Sequence, residues 1–263
     1  MPTIFINLIR SRRLILNMSL NDFKNRYSGS YFGLVWAIIQ PIATILIFWF
    51  VFQVGFRAQP VADAPFILWL CAGMVPWSFF NDALMSGTGA FTSYSFIVKK
   101  LVFNTGILPL IKVLSSFYLS LIFTALLLLV FTLYGFFPGI HFLSVLYFNA
   151  CLFFLVSGLS YLLATINVFF RDTTQIVGIC LQFGMWLTPI MWSETMIPAR
   201  FHWIVKINPL YYIVNGMRDA LIGREWFLIH PLQTIYFWIV TVLICVFGLI
   251  FYKKMKFHFA DVL

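Results

Sequence analysis

Residues 142–170 read FLSVLYFNACLFFLVSGLSYLLATINVFF, 29 positions without one Asp, Glu, Lys or Arg. At 1.5 Å per residue, a helix of that length exceeds the roughly 30 Å hydrocarbon core of a bilayer. Arg171-Asp172-Thr173-Thr174-Gln175 follows, and a second apolar run, 176–192, begins directly after it. Two apolar runs joined by five polar residues read as consecutive membrane helices with a very short link.

Comparable runs recur outward from this pair, at 34–56, 66–85, 107–134 and 232–252. The first contains Gln40-Pro41, where a kink is expected, the second contains Pro76, and Lys112 lies close enough to the start of the third to snorkel. Composition agrees: 62% of the 263 residues are hydrophobic, only 10% are charged, and the mean hydropathy is +0.96. A soluble chain of this length needs more charge to cover its surface. The expected fold class is all-α, a polytopic membrane protein with six transmembrane helices in one domain, 1–263. Backbone hydrogen bonds satisfied within each helix are what permit it to cross lipid.

Two segments do not fit the spanning pattern. Residues 3–24 put Ile4, Phe5, Leu8, Ile9, Ile15, Leu16, Leu20 and Phe23 on one helical arc, with Arg12 and Asp22 interrupting it. That pattern predicts an amphipathic interfacial helix within 1–28, lying in the headgroup plane. Between the fifth and sixth spans, 193–231 is half apolar but broken by Pro198, Pro209 and five charged side chains from Arg200 to Arg224. A re-entrant helical pair is expected there, since irregular backbone at membrane depth must be shielded by protein or line a cavity. A plain extramembrane loop is the rival reading.

The formal charge of +9 sits mainly at the chain ends and one connection, which fits anionic headgroups and topology rather than nucleic acid. With six spans, Arg10, Arg12, Arg13, Lys24 and Arg26, then Lys99 and Lys100, then the lysines of the 253–263 tail, fall on one side. That side is the cytoplasm by the positive-inside rule, against which Arg200, Lys206, Arg218 and Arg224 stand as the exception. Cys71, Cys151, Cys180 and Cys245 lie inside apolar runs and read as small buried hydrophobes, and no signal peptide is evident. No Gly-x-x-x-x-Gly-Lys-Ser/Thr cradle for nucleotide phosphates occurs, and the four histidines are too scattered to suggest a metal site. None of the eight carboxylates lies at the centre of a predicted span, where ion-coupled carriers place their coupling groups. Energy is therefore expected from outside the chain. A membrane-embedded transferase is disfavoured by the lack of clustered catalytic carboxylates or histidines.

Three motifs stand in order: Asn25-Arg26-Tyr27-Ser28-Gly29-Ser30-Tyr31-Phe32-Gly33-Leu34-Val35-Trp36; Phe169-Phe170-Arg171-Asp172-Thr173-Thr174-Gln175-Ile176 leading to Trp186-Leu187-Thr188-Pro189-Ile190; and Asn208-Pro209-Leu210-Tyr211 with Arg218-Asp219-Ala220-Leu221. At this overall length the chain resembles the ABC-2 type permeases, and among them the exporters of O-antigen, capsule or teichoic acid polysaccharides. The resemblance implies a homodimer in the bacterial inner membrane, docked on two copies of a separate ATPase that holds the ATP and Mg; this chain needs no cofactor. It also implies a glycan cargo on undecaprenyl diphosphate, threaded between protomers. A smaller amphiphile or drug remains the alternative cargo.

Roles follow as expectations. Arg10, Arg13, Lys24, Arg26, Lys99 and Lys100 would meet the lipid diphosphate at headgroup level, although ordinary topology also accounts for them. Arg26, Tyr27, Arg171 and Asp172 would couple to the ATPase, a charged pair capping a span being the rival for the last two. Trp36, Trp49, Trp77, Tyr161, Trp186 and Trp192 are candidate channel lining, with aromatic belts as the rival. Pro198, Asn208, Pro209, Tyr211 and Tyr212 are the candidate outer gate.

Overall fold

The computed structural model describes residues 11–29, 31–61, 64–98, 105–137, 139–223 and 225–262. Arg10, Lys99 and Lys100 lie outside them. The described residues are helical almost throughout, without a strand.

Helix α1 spans Arg12–Asn25. Among the described residues, five helices are long and apolar enough to cross a membrane: α2, Gly33–Gly55; α3, Phe66–Thr88; α4, Thr105–Leu133; α5, Gly139–Phe169; and the last helix, Pro231–His258. Pro41 and Pro76 are carried inside α2 and α3. The run expected at 176–192 forms α6, Thr173–Leu187, of 15 residues. That is about 22 Å of helix, short of a full crossing. It stops because Thr188 turns extended ahead of Pro189, a residue whose ring disfavours a helical predecessor. Two short helices follow, α7, His202–Ile207, and α8, Pro209–Arg218. The last helix, α9, does not stop at 252: it runs on through Lys253 and Lys254, and the expected tail is helical to Val262.

Helix α3 is the most enclosed of the long helices, while α2 and α9 leave most of their surface outward. The tightest crossings use glycine. A Cβ on Gly158 of α5 would come within 2.7 Å of Cys245 Sγ on α9, and one on Gly248 of α9 would meet the Gly158 carbonyl at 2.7 Å. Small residues at such crossings let backbones approach closely, which stabilises helix pairs in lipid, where apolar burial offers little.

A second, smaller core lies at one end of the bundle. It joins Ile15 of α1, Phe91 just past α3, Ile107 of α4, Val168 of α5 and Tyr252 and Phe259 at the chain's end. Phe91 stacks on Tyr252 at 5.6 Å. The two ends of the described chain therefore meet on the same face.

Candidate functional site

In the sequence Asp22 interrupts the apolar face of α1. The fold makes it an anchor. Helix α1 buries Ile15, Ser19 and Asp22, and it leaves Leu16 and Leu20 exposed. Lys112 of α4 donates to Asp22 Oδ1 at 2.6 Å, and the Tyr94 hydroxyl donates to the same oxygen at 2.8 Å. One turn on, Arg26 donates from Nη1 to Asp82 Oδ2 of α3 at 2.7 Å, and from Nη2 to Ser116 of α4 at 2.8 Å and Ser86 of α3 at 3.2 Å. Ser19 and the Tyr118 hydroxyl lie 3.0 Å apart. Burial pushes the Asp22 carboxyl up, but Lys112 and Tyr94 outweigh it and hold Asp22 below its ordinary value. Two cations and two carboxylates thus pin α1 across α3 and α4. Arg26 is engaged by its own chain, so a phosphate ligand there has to compete with Asp82. Arg13 and Lys24 are exposed.

Arg171 and Asp172 stand exposed at the turn between α5 and α6. Thr174 steadies that turn by donating to Asn167 Oδ1 at 3.0 Å.

The aromatics separate by position. Trp36, Trp49 and Trp186 are well exposed, and Trp192 is half-buried with its indole donating to the Trp186 carbonyl. Trp77 is buried and lines an apolar cavity of about 470 Å³ with Phe80, Val177, Leu181 and Gly184, between α3 and α6. Tyr161 is buried too, its hydroxyl on the Gly106 carbonyl and its ring against Tyr252, facing the chain's own core.

In the 193–231 segment, Asn208 caps α8, accepting from the Leu210 N–H at 3.0 Å and donating to Thr188 at 2.8 Å. Pro209 opens that helix, where its missing N–H costs nothing. Tyr211 and Tyr212 are buried; Tyr211 donates to Glu194, and Tyr212 lies 3.0 Å from Thr234 Oγ1. Pro198 is exposed.

Two further features escape sequence reasoning. Arg218 is 5% exposed. Its guanidinium donates to the carbonyls of Trp69 at 3.2 Å, Pro189 at 2.7 Å and Ile190 at 2.7 Å, and it lies 3.5 Å over the Trp69 ring. It thereby caps the unwound end of α6 and clasps α8 to α3. The second is a convergence of Asp219, Glu225 and His230, whose ligand atoms lie within 4.8 Å of one another. Asn215 donates to Asp219 at 3.0 Å, and burial, reinforced by the charge on Glu225, pushes Asp219 up to about 7. The scattered histidines of the sequence gave no sign of it.

A family model described as ABC-2 type transporter matches residues 13–222. The O-antigen export system permease protein RfbA of Klebsiella pneumoniae is 28% identical over 256 residues, 95% of each chain. The protein of the same name from Myxococcus xanthus is 27% identical over 217 residues, 80% of each chain. The polysialic acid transport protein KpsM of Escherichia coli is 24% identical over 209 residues, 77% of this chain and 78% of that one.

Proposed function

The chain belongs to the ABC-2 type transporter family, and on that premise we propose that it is the permease subunit of a polysaccharide exporter driven by a separate ABC ATPase. The observation that carries this is its end-to-end likeness to an O-antigen export permease, over 95% of both chains. The cargo in this reading is a polysaccharide on undecaprenyl diphosphate, and the working unit is two copies of this chain with two ATPase subunits in the bacterial inner membrane.

Topology supports six crossings. The small core groups the start of α4 with the ends of α3, α5 and α9 and with α1. Helix α5 ends on that face and α9 begins on the other, so the chain between them crosses once more. In this reading α6 and the extended residues after it make that crossing, while α7 and α8 form the re-entrant pair. Arg13, Lys24 and Arg26 then share a side with Lys253, Lys254 and Lys256, as the positive-inside rule asks. Helix α1 lies in the cytoplasmic interface, its exposed Leu16 and Leu20 facing acyl chains. Most of α2 faces lipid or the second copy. The Arg171–Asp172 turn projects from the cytoplasmic face as the ATPase contact.

The test is capture and export together. The tagged chain should retain an ABC ATPase encoded beside it, and its deletion should trap lipid-linked glycan inside the cell. Reversing the turn with Arg171→Glu and Asp172→Arg should abolish ATPase capture while the permease still reaches the membrane. Uphill cargo movement by the chain alone, on an ion gradient, would overturn the reading.

A further inference from the structure

Behind the Arg26–Asp82 pair lies a cavity of about 220 Å³ between α2, α3 and α4. Its lining is unusual for the interior of a membrane bundle: Gln40 and Thr44 from α2, Ser78 and Asp82 from α3, Ser116 and Ser120 from α4. Six polar side chains from three helices converge where lipid-facing helices would carry Leu or Val, and polar groups at depth are retained for a purpose. From the helix bounds, Gln40 is about 10 Å and Thr44 about 16 Å along α2, and Asp82 is about 9 Å before the end of α3. The cavity therefore occupies the same half of the bundle as the α1 anchor.

Ser120 supplies the second observation. It is 3% exposed, and its Oγ has no hydrogen-bond partner among the described residues. Thr44 and Ser78 satisfy their hydroxyls on the Gln40 and Met74 carbonyls of their own helices, and Ser116 receives Arg26. Ser120 has the same backbone option and does not take it. A buried hydroxyl without a partner costs stability, and this one lines a cavity large enough to hold the missing partner. The volume far exceeds the roughly 10–15 Å³ that one water needs.

The chemistry of the lining names the class. Hydroxyls and an amide give neutral donors and acceptors, and Arg26 occupies one oxygen of Asp82. Phe79 and Phe123 add apolar ring surface. Among the described residues, no second carboxylate lines the space to hold a cation. Neutral polar groups beside aromatic rings suit a hydroxyl-rich ring, and the guanidinium at the mouth suits a phosphate joined to it. Resting on the lipid-linked glycan reading above, we propose that this cavity is the subsite for the first sugar ring, with the diphosphate taking Arg26 from Asp82. Ser120 and Thr44 hydrogen-bond the ring hydroxyls, and the freed Asp82 carboxylate accepts another.

Binding of two probes to the chain in complex with its ATPase, in nanodiscs, tests this: geranyl diphosphate bearing one N-acetylglucosamine, and geranyl diphosphate alone. Ser120→Ala should weaken the sugar-bearing probe about three- to tenfold, the worth of one neutral hydrogen bond, and leave the sugarless probe unchanged. Its unfolding temperature should not fall, since the lost hydroxyl had no partner. Thr44→Val should discriminate between the probes in the same direction. Thr241→Val, which removes another unpartnered buried hydroxyl on α9, should alter neither. Equal losses for both probes, or no loss for the sugar-bearing one, mean that the cavity holds only water and overturn the subsite while leaving the permease reading intact. A wild-type complex that binds neither probe removes the lipid-linked cargo and the subsite with it.

Discussion

Lys112→Met should be the most damaging single change at the α1 anchor, and its cost follows from what it strands. The Asp22 side chain is 8% exposed and Lys112 17%. Removing the ammonium loses a charge-assisted hydrogen bond of about 1.5–3 kcal/mol and leaves a buried carboxylate, a combination worth about 3–5 kcal/mol. Tyr94 still donates at 2.8 Å and Arg26 Nε remains 3.9 Å away, so the lower part of that range applies. A loss of about 2–4 kcal/mol lowers the unfolding temperature by roughly 5–12 °C in a chain of this size. Arg26→Met strands Asp82 instead, whose side chain is 38% exposed and regains water, so about 1 kcal/mol is expected. Thermal unfolding of both variants in nanodiscs measures the order, and Asp22→Asn with Lys112→Met closes the cycle. The double variant should recover most of the loss, because no charge is left buried.

The pH dependence separates the two proteins. In the wild type the Asp22 carboxyl is held below its unfolded value of about 3.8, so its stabilisation is present above that pH and vanishes only as pH falls through the lower, folded value. Between pH 7 and 5 it contributes no slope. In Lys112→Met the opposing cation is gone and burial raises the carboxyl, so acidification from pH 7 towards 5 should restore stability. Equal losses for the Lys112 and Arg26 variants, or strictly additive effects in the cycle, would refute the stranded-charge argument.

At the clasp, Arg218→Lys and Gly73→Ala should each cost about 1–3 kcal/mol, read from unfolding temperatures. Lysine cannot reach three carbonyls as a planar fork or stack on Trp69, and a Cβ at Gly73 would lie 2.6 Å from Arg218 Nη2. Because both act on one contact, the double variant should be little worse than either. At the Asp219–Glu225–His230 convergence, the folded Asp219 carboxyl titrates at about 7 against about 3.8 unfolded, so stability should decline as pH rises between those values. Asp219→Asn should flatten that decline and unfold a few degrees higher than the wild type at pH 8.

The long helices were legible because a bilayer imposes a length and a composition that local sequence must satisfy. The runs at 66–85, 107–134 and 142–170 could hardly be anything else. What spacing could not convey was which face each helix turns inward. Asp22 looks like an error in an apolar arc because Lys112 and Tyr94, 90 and 72 residues away, are invisible from α1 itself. Arg218 is one of several charges that merely break up an apolar segment, until the unwound carbonyls of Pro189 and Ile190 arrive beside it. Tyr161 and Trp77 carry the same aromatic signal as Trp36 and Trp186, and only the crossing of α5 with α9 and of α3 with α6 decides which are enclosed. The apolar run continues past the end of α6 for a local reason: Thr188-Pro189 lies inside it, and hydropathy does not register the break.

The ion pairs among the described residues lie together at one corner, where α1 crosses α3 and α4. Contacts along α5 are of another kind. Gly158 and Gly248 bring α5 and α9 to backbone contact, and Gly216 of α8 admits the Phe148 ring of α5, where a Cβ would stand 2.1 Å from its carbon. Close-packed contacts of this sort resist shear and carry rigid-body motion, whereas an ion pair has alternative partners and can exchange them. In the proposed exporter, a push received at Arg171–Asp172 would therefore travel along α5 into α8 and α9 and, through the Gly87–Ser160 crossing and the Arg218 clasp, into α3 as one body. The ion pairs join α1 to that body, and Arg26–Asp82 is the contact open to competition by an anionic ligand. Cargo recognition and power delivery would then act through different kinds of contact. A cross-link fixing α1 to α4 should consequently impair cargo entry more than it impairs ATPase capture, and the reverse ranking would contradict this division.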